Sequence, residues 1–65
     1  MDVRVAAKLL LPKIGEKPAD LDHLLESIGV QMGWHEKLQL LQLLPGIEAV
    51  YHAVSGKIFV RRVGR

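Results

Sequence analysis

The sequence predicts a small α+β domain of three helices followed by a β-hairpin. Two observations carry that expectation. Apolar residues recur at helical spacing up to Leu44, then at a spacing of two from Ala49 onward. Proline and glycine also punctuate the chain where such elements would end: Pro12 and Gly15, Gly29 and Gly33, Pro45-Gly46, and Ser55-Gly56.

The first helix is expected over roughly residues 3 to 11. Val3, Ala6, Ala7, Leu10 and Ile14 share one face, Arg4 and Lys8 take the other, and Asp2 stands where an N-cap belongs. Pro12 has no N–H to donate and clashes with the preceding turn, so the helix should stop near Leu11. The second helix is expected over residues 20 to 28. Pro18 suits its first turn, Asp20 and Asp22 favour its positive end, and Leu21, Leu24, Leu25 and Ile28 form its stripe before Gly29 stops it. A third helix over residues 35 to 44 opens near Trp34. Trp34, Leu38 and Leu41 continue a helical pattern that Leu40 and Leu44 widen.

Past Pro45-Gly46, β-branched and aromatic residues take over: Val50, Tyr51 and Val54, then Ile58, Phe59, Val60 and Val63. Residues 49 to 54 are expected to pair antiparallel with 57 to 63 around Ser55-Gly56. A two-residue loop puts Ala49, Tyr51, Ala53, Ile58 and Val60 on one face; a longer loop shifts the cross-strand pairs. Either way both faces carry large apolar groups. Leu10, Leu24, Leu25, Leu38, Leu41 and Val60 are the expected core.

A chain of 65 residues holds one core and therefore one domain. Whether residues 1–65 are a whole protein or one domain of a longer one stays open. Apolar residues make up 49% and charged residues 25%, the balance of a globular chain rather than a disordered one. There is no cysteine, so neither disulfides nor thiolate metal sites contribute. The apolar runs fall far short of the roughly 20 residues of a membrane span, and the N-terminus lacks the pattern of a signal peptide. No membrane association is expected, and the cytoplasm or nucleus is the expected setting.

The inventory for catalysis is thin: Ser27, Ser55 and Tyr51 supply all the hydroxyls, and no phosphate-binding glycine loop occurs. A non-enzymatic, cofactor-free domain is expected. His23, His35 and His52, with Asp20, Asp22 and Glu26, do not follow a metal-ligand spacing, so no metal site is expected.

Charge is unevenly placed. Residues 57–65 carry four bases (Lys57, Arg61, Arg62, Arg65) and no acid, whereas residues 16–48 carry six acids and two lysines. Such polarity gives one end suited to an anionic partner. The expected nucleic-acid contacts are Lys57, Arg61, Arg62 and Arg65 to phosphates, with Lys37, Gln39 and Gln42 from the third helix. DNA and RNA are equally compatible with these groups. The opposing expectation is a protein-interaction or self-association module, with Trp34, Val54 and Phe59 as partner-binding side chains, because the chain has more apolar surface than it has volume to hide.

The order helix, helix, turn, helix, hairpin is that of the winged-helix branch of helix-turn-helix proteins, which this sequence resembles over residues 3 to 63. The stretch Gly33-Trp34-His35-Glu36-Lys37-Leu38-Gln39-Leu40-Leu41-Gln42-Leu43-Leu44-Pro45-Gly46-Ile47-Glu48-Ala49-Val50 is similar to the Gly-aromatic, Leu-rich, Leu-Pro-Gly segment of LOTUS domains. That resemblance implies a compact winged helix that contacts RNA or a helicase partner. As an alternative, Leu44-Pro45-Gly46-Ile47 leading into two strands resembles the end of ferredoxin-like metal-carrier domains, a fold that needs a strand before its first helix.

Overall fold

A computed structural model describes residues 2–64. Arg65, one of the expected phosphate contacts, lies outside the described residues. The chain forms α1 (Val3–Leu10), a 3-10 turn (Leu11–Lys13), β1 (Ala19–Asp20), α2 (Leu21–Ser27), α3 (Trp34–Gln42), β2 (Ile47–His52) and β3 (Lys57–Arg62). This is an α+β domain of three helices and a three-stranded antiparallel sheet in the order β1-β3-β2. The chain enters its first element as a helix, not a strand, so the ferredoxin-like alternative does not fit.

Local chemistry sets the helix ends. The Asp2 carboxylate accepts the Arg4 N–H at 2.8 Å, capping α1. Pro12 then converts the exit of α1 into the 3-10 turn. Asp20 caps α2 by accepting the Asp22 N–H at 2.9 Å. The cap falls at Asp20, so Pro18 lies outside the helix rather than in its first turn. α2 ends in a Schellman motif: Gly29 N–H donates to Glu26 O and Val30 N–H to Leu25 O, each at 3.0 Å. Gly29 supplies the left-handed φ of 72° that this closure requires. At the start of α3, Glu36 reaches back to accept the Gly33 N–H at 3.0 Å, which is half of a capping box.

The core lies between the helices and one face of the sheet, with Leu10, Ile14, Leu21, Leu40 and Val60 completely buried and Leu24, Leu25, Leu44 and Ile58 packed around them. Of the expected core residues, Leu38 is 41% exposed, whereas Leu41 is half-buried and packs against the core. α3 turns Leu40 inward, Leu44 follows it into the core just past the helix end, and Trp34 and Leu38 fall on the flank. Both sides are apolar, so periodicity alone does not say which one faces the core.

In the hairpin, Tyr51 lies opposite Ile58 and His52 opposite Lys57. The loop therefore has four residues, Ala53–Gly56, not two, and Gly56 closes it at a φ of 72°. The register moves by two positions, which preserves the alternation, so Ala49, Tyr51, Ile58 and Val60 still share a face. Val54 moves from the expected strand to the tip of the loop. β1, which the sequence reading lacked, pairs Ala19 with Val60 and Asp20 with Phe59.

Candidate functional site

The hairpin's cations are held by groups of the domain itself. Lys57 Nζ lies 3.2 Å from Asp20 Oδ2, joining β3 to the cap of α2. Arg61 Nε donates to Glu48 Oε1 at 2.8 Å across the β2–β3 pair. Arg62 Nε donates to Ile14 O at 3.1 Å, and its Nη2 donates to Leu11 O. These carbonyls belong to the 3-10 turn and the residue after it, and Leu11 O also accepts the Ile14 N–H at 3.3 Å. The neighbouring main chain adds a bond from Arg62 N–H to Gly15 O at 2.6 Å.

Lys37 also turns inward. Its side chain is only 19% exposed and sits 2.6 Å from Asp22 Oδ1, bridging α3 to α2. Of the expected nucleic-acid residues, Gln39 and Gln42 are exposed on α3. They lie on the opposite side of that helix from Lys37. The expected contacts therefore do not converge on one face.

Electrostatics follow this pairing. Burial works against the charged form of Asp20, but the hydrogen bond from Lys57 and the Asp22 N–H outweigh it, holding the carboxyl below its ordinary value. The Arg4 N–H, aided by the Arg4 charge, lowers Asp2 in the same direction. Two cations of the most basic stretch, Lys57 and Arg61, thus stand in pairs of opposite charge. A phosphate arriving at Arg61 or Lys57 meets Glu48 or Asp20 beside it.

Apolar side chains are left outside instead. Trp34 is 46% exposed and Tyr51 54% exposed, and their rings meet edge to face with centroids 5.3 Å apart. Leu38 stands one helical turn from Trp34 on the same flank. The Trp34–Tyr51 contact joins α3 to β2, and Leu38 stands exposed beside it on the same flank of the helix, forming an apolar seam. The outer face of the sheet has a second apolar surface, a shallow groove of about 360 Å³ lined by Pro18, Val50, His52 and Phe59, with Glu48 and Arg61 at its side. There Phe59 is partly buried and packs edge to face on His52 at 4.8 Å. Val54 is fully exposed at the loop tip, away from the Trp34 seam.

Sequence reasoning therefore marked Trp34 and Phe59 but did not join Trp34 to Tyr51 and Leu38. The signal was present in part, since Tyr51 falls on the sheet face that meets the helices. Among the described residues, no three His, Asp or Glu side chains gather to hold a metal ion, and no helix is long and apolar enough to cross a membrane. Ser27 Oγ donates to Leu24 O at 2.6 Å, and Ser55 Oγ accepts the Lys57 N–H at 3.4 Å, so both hydroxyls serve local structure. No protein-family model matches the chain, and neither does any curated protein or solved structure.

Proposed function

We propose that this chain is a winged-helix domain that acts by binding protein, without catalysis, through the seam of Trp34, Leu38 and Tyr51 and the adjoining strand β2. The winged-helix reading is supported by the element order and by β1 pairing with β3 beside the hairpin. One contrast carries the functional reading. Among the described residues, Lys37, Lys57, Arg61 and Arg62 are each held by a group of the domain itself, while Trp34, Leu38 and Tyr51 stand exposed. Exposed pairs of opposite charge attract a polyanion weakly, and phosphate affinity depends on net uncompensated cations. Aromatic anchors flanked by polar groups are the usual centre of a protein interface. Of the two partner types that the LOTUS resemblance implies, RNA or a helicase, this surface favours the protein.

Site-specific photo-crosslinking in the intact protein tests the reading. A benzophenone side chain at Leu38 or Tyr51 is expected to capture protein, and one at Lys8, on the exposed side of α1, to capture none. Capture of nucleic acid from positions 38 and 51 would overturn the reading in favour of the nucleic-acid alternative.

A further inference from the structure

The strand order leaves β2 at the edge of the sheet, with one side unpaired. The hydrogen-bond phase tells which groups face outward. Val63 N–H donates to Gly46 O at 2.9 Å, so with the observed register Glu48, Val50 and His52 direct their main-chain groups toward β3. The bond from Arg62 N–H to Gly15 O agrees, since it points away from β2. Ile47, Ala49 and Tyr51 therefore present N–H and C=O groups to the open edge. Edge strands are normally blunted by a proline, a charged side chain or a bulge. β2 is six residues long with no proline or bulge, and its one carboxylate, Glu48, is paired with Arg61 of the neighbouring strand.

We propose that the occupant of this edge is a second copy of the chain, joined β2 to β2 in antiparallel fashion about a two-fold axis at Val50. The proposal rests on the protein-binding reading above and names its partner.

Symmetry restricts the register, because residues facing each other must lie on the same face of the sheet. An axis at Glu48 sets that carboxylate against its own copy. An axis at Ala49 sets Glu48 against Val50, and one at Tyr51 sets Val50 against His52. An axis at Val50 sets Glu48 of each copy against His52 of the other, matching a carboxylate to an imidazole on both sides of the axis. In that register Ala49 and Tyr51 exchange main-chain hydrogen bonds with Tyr51 and Ala49 of the second copy. Val50 meets Val50, which makes the outer apolar grooves of the two copies continuous from Phe59 to Phe59. The product is one six-stranded antiparallel sheet with the helices of both copies on the same face.

The absence of cysteine makes the test direct, because Val50→Cys introduces a single thiol. Residues facing each other without main-chain hydrogen bonds have Cα atoms about 4.5 Å apart, within the range of a disulfide. Under mild oxidation at micromolar protein, Val50→Cys is expected to form a disulfide-linked dimer roughly a hundredfold faster than Val54→Cys at the loop tip. Held thiols meet at an effective concentration on the order of millimolar.

Sedimentation equilibrium supplies the second measurement. The native chain is expected as a dimer and Ala49→Pro as a folded monomer, since the lost N–H faces the open edge rather than β3. Should Ala49→Pro fail to fold, the disulfide rates decide alone. A native chain that is monomeric at every concentration would overturn the proposal, as would equal rates for the two thiols or a folded Ala49→Pro dimer. A monomer that still captures other proteins from Leu38 would remove the second copy and leave the protein-binding reading standing. Capture of nucleic acid there would remove that reading itself.

Discussion

Replacing Arg62 with alanine separates a structural arginine from a phosphate-binding one. Its guanidinium serves Ile14 O and Leu11 O, tying the last residue of β3 to the turn after α1. Hydrogen bonds to a charged donor contribute about 1.5–3 kcal/mol each, and without Arg62 the Ile14 carbonyl loses this donor while Leu11 O keeps the Ile14 N–H. Arg62 is half-buried, so water can partly replace the lost bonds, and the expected total is about 2–4 kcal/mol. At roughly 4–8 °C per kcal/mol for a domain of this size, the midpoint should fall by about 8–32 °C. Arg61 pairs with Glu48 at a site where both side chains are well exposed, and Arg61→Ala should cost less than about 1 kcal/mol. Arg62→Lys should recover only part of the loss, because an ammonium lacks the planar fork that meets two carbonyls at once. Urea unfolding of the three variants measures these differences. Equal stability of Arg62→Ala and Arg61→Ala, within about 0.5 kcal/mol, would refute the reasoning.

The remaining predictions concern the core, a turn and the acid limb. Leu40→Ala should cost about 2–5 kcal/mol, the range for a packed leucine, and Leu38→Ala less than about 1 kcal/mol, so thermal melts should rank them clearly. Gly29→Ala forces an L-residue to a φ of 72° and should cost about 1–2 kcal/mol by the same measurement, even though a Cβ there meets no atom. Asp20 has a folded pKa below its unfolded value, so its contribution is present above the unfolded pKa and is lost as pH falls through the folded one. Asp20→Asn should therefore flatten the acid limb of the stability profile while leaving helix capping largely intact, as read by urea midpoints across that range.

Particular residues explain what the sequence made legible. Asp2 and Gly29 act within a few residues of themselves, and their roles as cap and stop follow from local rules, whereas Asp20 caps α2 rather than lying inside it. The change of period at Pro45-Gly46 likewise located the hairpin. β1 was not legible, because two residues cannot display an alternation. Its pairing with Val60 and Phe59 comes from tertiary packing. Leu38, expected in the core, is exposed because Leu40 and Leu44 offer an equally apolar side that faces the core instead.

The site was less legible than the fold. Counting charge along residues 57–65 found the cations but not their partners, which lie far off in sequence. Lys57 meets Asp20 across 37 positions and Arg62 meets Leu11 across 51. Of the run of bases, Lys57 and Arg61 meet carboxylates in three dimensions and Arg62 meets two main-chain carbonyls. Only Arg61–Glu48 had a local clue, since cross-strand neighbours follow once the register is known.

Salt titration of nucleic-acid binding tests most directly the central claim that these cations serve the fold and leave protein as the partner. Fluorescence anisotropy of labelled mixed-sequence single strands and duplexes, starting at about 50 mM salt, is the measurement, because phosphate contacts are strongest there. No saturable binding by the intact domain is expected, and none gained by Arg61→Ala. Saturable binding whose log K falls linearly with log salt, with the slope reduced by about one in Arg61→Ala, would contradict the claim.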